Sequence, residues 1–393
     1  MSITRRFSLN LPKALSLVAA VFLCSGLFKS LLNSFGFIIP FDITPATGLL
    51  VLSLMLINNR FIKHHHQGPI FLLFLFTAWA MFTSTYTSSD NYYLIKILKT
   101  GQICVAFLAG YYVISKNSEI YFLRIMILLS ITLGLIYSYR GIYLAALNRN
   151  WEEITAAYLG ISLLNSFAFT ALVVFNKRLF KPPVLIALIV ICLITLFGSG
   201  GRGGILFSFF SVIVYGVFER KNAKQIFSGF LVIMLATIAA YYQFDEIKVL
   251  FERSIYRLSF LFSEDKGSSV DGRLELINFT FNKIADNPIF GYGIGSFSKE
   301  YYNIDGRYYP HNIFLEIWFE LGVIGVFIFG IFLLTLLFKF NVKKNIAYFV
   351  IMLPPLLNSL KSLEFTEHRL LFFCFGMILC LSNIKFLFNY NKF

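Results

Sequence analysis

Two residues in this chain have the type and the surroundings needed for acid–base chemistry and anion binding. His311 stands directly before an apolar helix that begins near Asn312. The positive end of a helix dipole disfavours a protonated imidazole, so we expect a low pKa for His311. A neutral imidazole is the form that acts as a general base. We therefore interpret His311 as a catalytic base; the alternative is an interfacial histidine that caps the helix.

The second residue, Arg202, lies in a glycine-rich connection between two apolar runs. Gly201 and Gly203 expose backbone N–H groups at the start of the following helix, and an arginine beside such groups makes an anion site. The alternative is a tight helical hairpin with an arginine at the membrane interface. Arg273 falls in the first turn of another predicted helix, where the dipole disfavours a cation. We therefore expect Arg273 to bind a ligand or to form an ion pair.

Four further residues are candidates for supporting roles. Asn312 begins a helix in which Glu316 and Glu320 follow at one-turn intervals on the same side. Carboxylates within a membrane helix are costly and usually face the interior or a cavity. Arg140 is another candidate cation near the outer end of a span, although an arginine reaching the membrane interface explains it more simply. No cluster has metal-ligand spacing, so we predict no metal and no other cofactor.

The elements that position these residues must be membrane helices. The 393 residues are 58% hydrophobic and only 14% charged, and apolar runs of about 20 residues recur along the chain. This composition predicts an all-α polytopic membrane protein. The net charge of +14 would suit a nucleic-acid partner in a soluble protein. Here the basic residues follow the membrane topology and the attraction to anionic lipid, so we predict no nucleic-acid partner.

Twelve spans account for the apolar runs, with one long polar stretch between the ninth and the tenth. We predict a bundle of nine spans over 1–243, a loop with amphipathic helices over 244–311, and three spans over 312–393. Basic residues concentrate in alternate connections and at both ends of the chain, which places both termini in the cytoplasm. The long loop then faces outward, into the periplasm of a bacterium. The predicted spans are 12–30, 34–57, 69–85, 94–114, 119–146, 156–176, 182–199, 203–218, 225–243, 312–338, 345–362 and 368–388.

The long loop itself divides into two helices and a glycine turn. Residues 245–262 predict an amphipathic helix lying on the membrane surface. Asp271 is a plausible N-cap for a second helix over 272–286, whose apolar stripe includes Leu274 and Phe281. Alternating glycines follow at Gly291, Gly293 and Gly295. Their spacing fails as a dinucleotide fingerprint, so we predict a tight structural turn.

These motifs, in this order, resemble the superfamily of O-antigen ligases and O-antigen polymerases. The resemblance is sharp over about 195–330 and only topological elsewhere. It implies a C-type glycosyltransferase architecture, a polyprenyl-diphosphate-linked oligosaccharide as donor, metal-independent transfer and inversion at the anomeric carbon. The motifs are Gly200-Gly201-Arg202-Gly203, Gly272-Arg273, Asn287-Pro288-x-x-Gly291-x-Gly293-x-Gly295-x-Phe297 and His311-Asn312-x-x-Leu315-Glu316-x-x-x-Glu320-Leu321-Gly322-x-x-Gly325.

The resemblance also implies roles for the candidate residues. Arg202 and Arg273, with Gly201 and Gly203, would bind the diphosphate, and His311 would activate the acceptor hydroxyl. Composition and the stretch around His311 favour a polymerase of the bacterial inner membrane, whose acceptor is a second lipid-linked repeat unit. A chain-length regulator is then a candidate partner. The first alternative is a ligase that transfers the glycan to lipid A–core, and the second is a transporter or flippase of lipid-linked glycans.

Overall fold

The computed structural model describes residues 10–35, 37, 41–57, 66–146, 157–219, 231, 235, 238–239, 241–259 and 268–382, and within these segments every regular element is a helix. The helices are α1 (Leu11–Ser34), α2 (Ile43–Ile57), α3 (Gln67–Thr83), α4 (Tyr92–Ser115), α5 (Glu119–Ala146), α6 (Tyr158–Val174), α7 (Asn176–Leu179), α8 (Pro182–Gly198), α9 (Arg202–Phe218), α10 (Asp245–Ser259), α11 (Ser268–Asp286), α12 (Phe297–Tyr302), α13 (Ile313–Lys339), α14 (Ile346–Ser359) and α15 (Arg369–Leu381), with a 3₁₀ turn over Phe365–Glu367.

Four of these helices are long and apolar enough to cross a membrane: α1, α4, α5 and α13. Seven more are shorter apolar helices of 10–17 residues. The predicted all-helical membrane protein is therefore confirmed, and the count of twelve spans stays a prediction. The ninth predicted span, 225–243, lies mostly outside the described residues. The second predicted span, 34–57, begins too early, since α2 begins at Ile43. The side chain of Asp42 accepts a hydrogen bond from Thr44 N at 2.9 Å at this helix start.

The closest helix packing joins the fourth helix to the last one. A Cβ on Gly110 of α4 would lie 2.0 Å from the carbonyl oxygen of Phe373, and one on Gly376 of α15 would lie 1.8 Å from that of Phe107. The two backbones therefore touch at both glycines. Small residues allow such approach between membrane helices, where dispersion contacts stabilise the pair. The packing fixes the start of α15 beside the first turns of α4.

The glycine turn of the long loop closes a break in α13. Gly322 has φ 67° and ψ −175°, which interrupts the helix and leaves carbonyls without helical partners. Tyr292 N and Gly293 N donate to the carbonyls of Phe319 and Glu320, both at 2.9 Å. Three residues of the turn, Gly291 included, have positive φ, and a Cβ on Gly291 would lie 2.6 Å from Gly322 N. The predicted structural turn is therefore observed, and its function is to anchor the loop to α13.

A second anchor joins the loop to the start of α4. The Asp305 carboxylate accepts hydrogen bonds from the backbone N–H groups of Asn91 and Tyr92 at 2.7 and 3.0 Å. It also accepts one from the Ser89 hydroxyl at 2.6 Å. These bonds lower the pKa of Asp305, against the opposing effect of burial, and the carboxylate meets the positive end of the helix dipole. The loop residues just before His311 are thereby fixed to the end of the bundle.

The two loop helices differ from their predicted form. α10 packs on the bundle through Phe251, whose ring stacks on Phe197 of α8 at 4.6 Å. α11 begins at Ser268, so Arg273 lies in its second turn instead of its first, and Asp271 is within the helix. The helix buries Leu276 and Ile284 against an aromatic core, while two residues of the predicted stripe, Leu274 and Phe281, are about half exposed. The predicted stripe is Leu274, Ile277, Phe281 and Ile284; Ile284 is in the buried core as predicted, whereas Leu274 and Phe281 are on a more exposed face of α11.

A buried ion-pair network joins α4, α13 and the connection that follows α14. Lys96 Nζ lies 2.6 Å from Glu316 Oε1, 2.7 Å from Glu320 Oε1 and 3.2 Å from Glu364 Oε1. None of the side chains is more than 1% exposed. Lys99, one turn further along α4, continues the network to Glu364 and to Glu367. Charges buried this deeply are stable only when they are paired and hydrogen-bonded.

The break in α13 predicts a strong effect of Gly322→Ala. An alanine there would adopt a backbone conformation that L-residues avoid, and its Cβ would lie 2.0 Å from the carbonyl oxygen of Ile289. The strain alone is on the order of 1–3 kcal/mol. We expect a lower midpoint of thermal unfolding in detergent. Gly330→Ala, in the same helix with nothing within 4 Å of the added Cβ, is the control; equal stability of the two variants would contradict the proposed anchor.

The ion-pair network predicts that Lys96→Met destabilises the protein by roughly 3–5 kcal/mol, since the substitution leaves buried carboxylates without their cation. Adding Glu316→Gln and Glu320→Gln to Lys96→Met should recover part of the loss. Thermal unfolding measures both effects. Lys299→Met, which breaks a surface pair with Asp90, should leave the midpoint unchanged. A Lys96→Met protein as stable as the wild type would refute the assignment.

Candidate active site

The ends of four helices bring four cations together at the end of the bundle where the long loop packs. We call them the basic cluster: Arg202 at the start of α9, Arg257 in the last turn of α10, Arg273 in α11 and Lys361 after α14. The charges of Arg257 and Arg273 both act on Arg202. Burial and the charges of Arg273, Arg202 and Arg257 lower the pKa of Lys361 to about 8. The cluster therefore concentrates positive charge in a partly desolvated space.

The basic cluster has no acidic partner in the described part of the chain. None of the ion pairs found there, all with N···O distances up to 4.0 Å, includes Arg202, Arg257, Arg273 or Lys361. Like charges held together without a counter-ion repel one another, and this repulsion weakens the folded state. A bound anion removes the repulsion, so the arrangement favours an anionic ligand.

Neutral groups of the bundle hold Arg257 in place. Its guanidinium donates to the carbonyl oxygen of Gly200 at 3.2 Å and to the Tyr158 hydroxyl at 3.3 Å. It also lies over the Tyr158 ring, 4.7 Å from the ring centre. These contacts orient the side chain and leave its charge unneutralised. Arg257 thus joins α10 to the glycine-rich connection that carries Arg202.

The glycines around Arg202 are explained by close packing. A Cβ on Gly201 would lie 2.2 Å from the Ser162 hydroxyl of α6, and one on Gly203 would lie 2.0 Å from Lys361 Nζ. Gly201 is the N-cap of α9 and supplies no side chain to the free N–H groups of the first turn. The start of α9 therefore presents unpaired donors and the positive end of a helix dipole beside Arg202 and Lys361.

His311 lies at the edge of the basic cluster and is held in the left-handed region, with φ 59°. Burial, reinforced by the charges of Arg273, Arg307 and Lys361, lowers the pKa of His311 to about 4. Its Nδ1 is buried and has no hydrogen-bond partner among the described residues, so no carboxylate there stabilises the protonated ring. The imidazole is consequently neutral near pH 7. Strained backbone of this kind is concentrated at functional sites.

The other four predicted site residues make structural contacts. Asn312 is the N-cap of α13, where its side-chain oxygen accepts from Phe314 N at 3.0 Å. Glu316 and Glu320 belong to the buried network around Lys96, so their carboxylates are already paired. Arg140 lies between the rings of Phe35 and Tyr143, each 5.4 Å from its guanidinium carbon. The structure thus brings Arg202, Arg273 and His311 together and gives these four residues structural contacts.

Sequence reasoning missed three members of the site. Lys361 was included in a predicted span, although α14 ends two residues before it, at Ser359. Arg257 was interpreted as one of the polar residues of a surface helix. Arg307, whose charge acts on His311, was treated only as part of the polar stretch. No local signal in the sequence identifies these three residues, because each joins the site through contacts between distant segments.

Comparison with known proteins places this arrangement in a family. Residues 187–330 match the family model described as O-Antigen ligase, and this range contains Arg202, Arg257, Arg273 and His311. No match was found among curated proteins. The matched range starts within α8 and ends within α13, so it includes the whole long loop and the helices at both of its ends. Residues 187–330 are therefore similar to the O-antigen ligase family.

Proposed function

We propose that this protein is a metal-independent, inverting glycosyltransferase that polymerises polyprenyl-diphosphate-linked O-antigen repeat units at the periplasmic face of the bacterial inner membrane. The family supports the coarser function, transfer of a lipid-linked glycan in lipopolysaccharide biosynthesis. The observation that carries the proposal is the basic cluster beside a neutral histidine. A diphosphate and its polyprenyl chain would meet this cluster where the bundle ends and the loop begins.

The cations support cleavage of the bond between the sugar and the diphosphate. As that bond breaks, negative charge develops on the leaving diphosphate, and Arg202, Arg257, Arg273 and Lys361 stabilise it. A charge-assisted hydrogen bond contributes about 1.5–3 kcal/mol, so a few arginines supply a substantial part of the stabilisation. They neutralise the same charge that a divalent ion would neutralise. The free N–H groups at the start of α9 add to this effect.

The acceptor side of the reaction needs a base, and His311 fits that role. The neutral imidazole takes the proton from an acceptor hydroxyl while the hydroxyl oxygen attacks the anomeric carbon. The bond to the diphosphate breaks on the opposite face, so a single displacement inverts the configuration. General-base assistance contributes about 10²- to 10⁴-fold in rate. The products are the lengthened glycan and the free polyprenyl diphosphate, with the proton on His311.

The family description favours a second candidate, an O-antigen ligase. Polymerase and ligase use the same donor and the same chemistry, and they differ in the acceptor: a second lipid-linked repeat unit or a sugar of lipid A–core. A transporter of lipid-linked glycan would not need a desolvated base beside a cluster of cations that have no acidic partner among the described residues. We favour the polymerase on the composition of the chain and on the sequence around His311.

Deletion of the gene, followed by complementation, tests the activity and the acceptor together. For a polymerase, the mutant should keep one repeat unit on core and lose the long chains; for a ligase, it should lose all attachment. His311→Asn and Arg273→Ala should fail to restore long chains, whereas Lys248→Gln, on the exposed side of α10, should restore them. Asparagine tolerates left-handed backbone, so His311→Asn removes the base with little added strain. Full restoration by both site variants would refute the proposal.

The titration of two groups predicts the pH profile of the purified enzyme. The base must be neutral, so kcat/KM for the donor should fall as the pH drops through about 4, where free His311 becomes protonated. Lys361 must be charged, so the same parameter should fall as the pH rises through about 8. Bound diphosphate favours both protonated forms, so both limbs of the kcat profile should shift upward. An acid limb of kcat/KM near the ordinary histidine pKa would contradict the desolvated base.

A further inference from the structure

A cavity of about 320 Å³ is lined by none of the four cations of the basic cluster and not by His311 itself. Its walls come from α1, α2, α4, α6, the start of α15 and the loop residue Arg307. Arg307 belongs to both places, because its side chain lines the cavity and its charge acts on His311. A ligand in this cavity would therefore contact Arg307, which connects the cavity to the proposed base, and none of the cations that would hold the diphosphate.

The charges of the cavity are mostly paired, unlike those of the basic cluster. Glu367 accepts from Lys99 at 3.0 Å through one oxygen and from Arg307 at 2.5 Å through the other. Lys99 also pairs with Glu364 at 3.2 Å. Two cations in the wall are thus neutralised by carboxylates and held in fixed orientations. The cavity consequently attracts anions less than the cluster does, and it presents an ordered set of donors and acceptors.

Six further polar side chains line the cavity without an ion pair among the described residues: Ser30, Asp42, Thr44, Gln102, Thr366 and Arg369. Arg369 donates from one terminal nitrogen to Phe22 O and to the Ser25 hydroxyl, both at 3.2 Å. No carboxylate lies within ion-pair distance of its guanidinium among the described residues, and the side chain is partly buried. Gln102 of α4 contributes an amide to the same wall. Both side chains are partly buried and line the cavity, where a polar ligand would hydrogen-bond to them.

The rest of the wall is apolar and smooth. Two glycines and several leucines of α1, α6 and α15 form it: Leu23, Gly26, Leu27, Gly160, Leu163, Leu164 and Leu370. One polar wall and one apolar wall fit a saccharide, which has hydroxyl groups at its edges and C–H groups on its ring faces. A polyprenyl chain would desolvate the polar wall, Gln102 and Arg369 included, and would offer it no hydrogen bonds. The volume is within the range of about 300–1,000 Å³ that is typical of small-molecule sites.

We propose that this cavity binds the sugar units of the acceptor glycan and delivers the acceptor hydroxyl to His311. The assignment of the saccharide as the acceptor rests on the proposed function, whereas the binding of a saccharide is inferred from the cavity alone. Two substitutions address it without breaking an ion pair. Gln102→Leu removes the amide, and Ser30→Leu fills space at the wall, because the Ser30 hydroxyl bonds only to the carbonyl of its own helix, that of Gly26. Gly101→Ala, on the exposed side of α4, is the control.

The first experiment is binding without catalysis. The lipid-free repeat-unit oligosaccharide, released from the polysaccharide of the source strain, is titrated against the purified full-length protein in nanodiscs. We expect binding by the wild type, by Gly101→Ala and by His311→Asn, and at least a tenfold weaker Kd for Gln102→Leu and Ser30→Leu. Monodisperse variants with wild-type unfolding midpoints show that the fold is intact. Equal binding by all five proteins, or by none, overturns the proposal.

The second experiment is kinetic and separates this proposal from the function. In a transfer assay with lipid-linked donor and acceptor, the two cavity variants should raise KM for the acceptor at least tenfold and leave KM for the donor unchanged. A rise in the donor KM instead would assign the cavity to the donor and overturn the acceptor role. If the wild type transfers glycan and the cavity variants match it, only the cavity proposal fails. If oligosaccharide binds but no glycan is transferred, the proposed function fails and the saccharide site survives.

Discussion

Lys96 is bound by Glu316, Glu320 and Glu364 in the interior of the bundle, and the separation of charge in this protein depends on that pairing. Lys99 and Arg307 hold Glu367 in the same way. The carboxylates of Glu316, Glu320, Glu364 and Glu367 are therefore paired with other cations. Without these pairs, the same acids would be available to neutralise the arginines at the helix ends. Pairing with Lys96 and Lys99 thus keeps these carboxylates from neutralising a site that would bind an anion.

The same network also fixes the positions of the elements around the site. It joins α4, the first turns of α13 and the connection that contains Lys361, while Asp305 caps α4 and the glycine turn fills the break at Gly322. His311 lies between these anchors, directly after the loop and directly before α13. Its neutral state and its left-handed backbone both follow from this placement. The chemistry needs few residues, whereas their placement needs contacts from most of the helices around them.

The sequence predicted the helical membrane architecture because apolar runs and the alternation of basic connections are local signals. It also indicated Arg202, Arg273 and His311, since each borders a helix end with recognisable glycine, proline or asparagine neighbours. The rest depended on contacts between distant segments. Lys96 and Glu316 are 220 residues apart, and nothing local shows that they meet. In the sequence, Gly322 cannot be distinguished from other glycines of membrane helices. Its role depends on the loop residues that donate hydrogen bonds to the carbonyls freed by the break. Lys361 looked like the end of a span because α14 ends only two positions before it, at Ser359.

Lys96 precedes Glu316 by 220 residues in the sequence, and this order has a consequence for biosynthesis. A membrane protein is inserted from its N-terminus as the ribosome makes it, so α4 enters the bilayer long before Glu316, Glu320 and Glu364 exist. A lysine at the centre of a membrane helix costs about 2.5–3.5 kcal/mol. Lys96 stands in the second turn of α4, close enough to the interface for its ammonium to reach water in the meantime. The arrival of α13 then draws this hydrated cation into the interior, so assembly of the site is one of the last steps in making the protein.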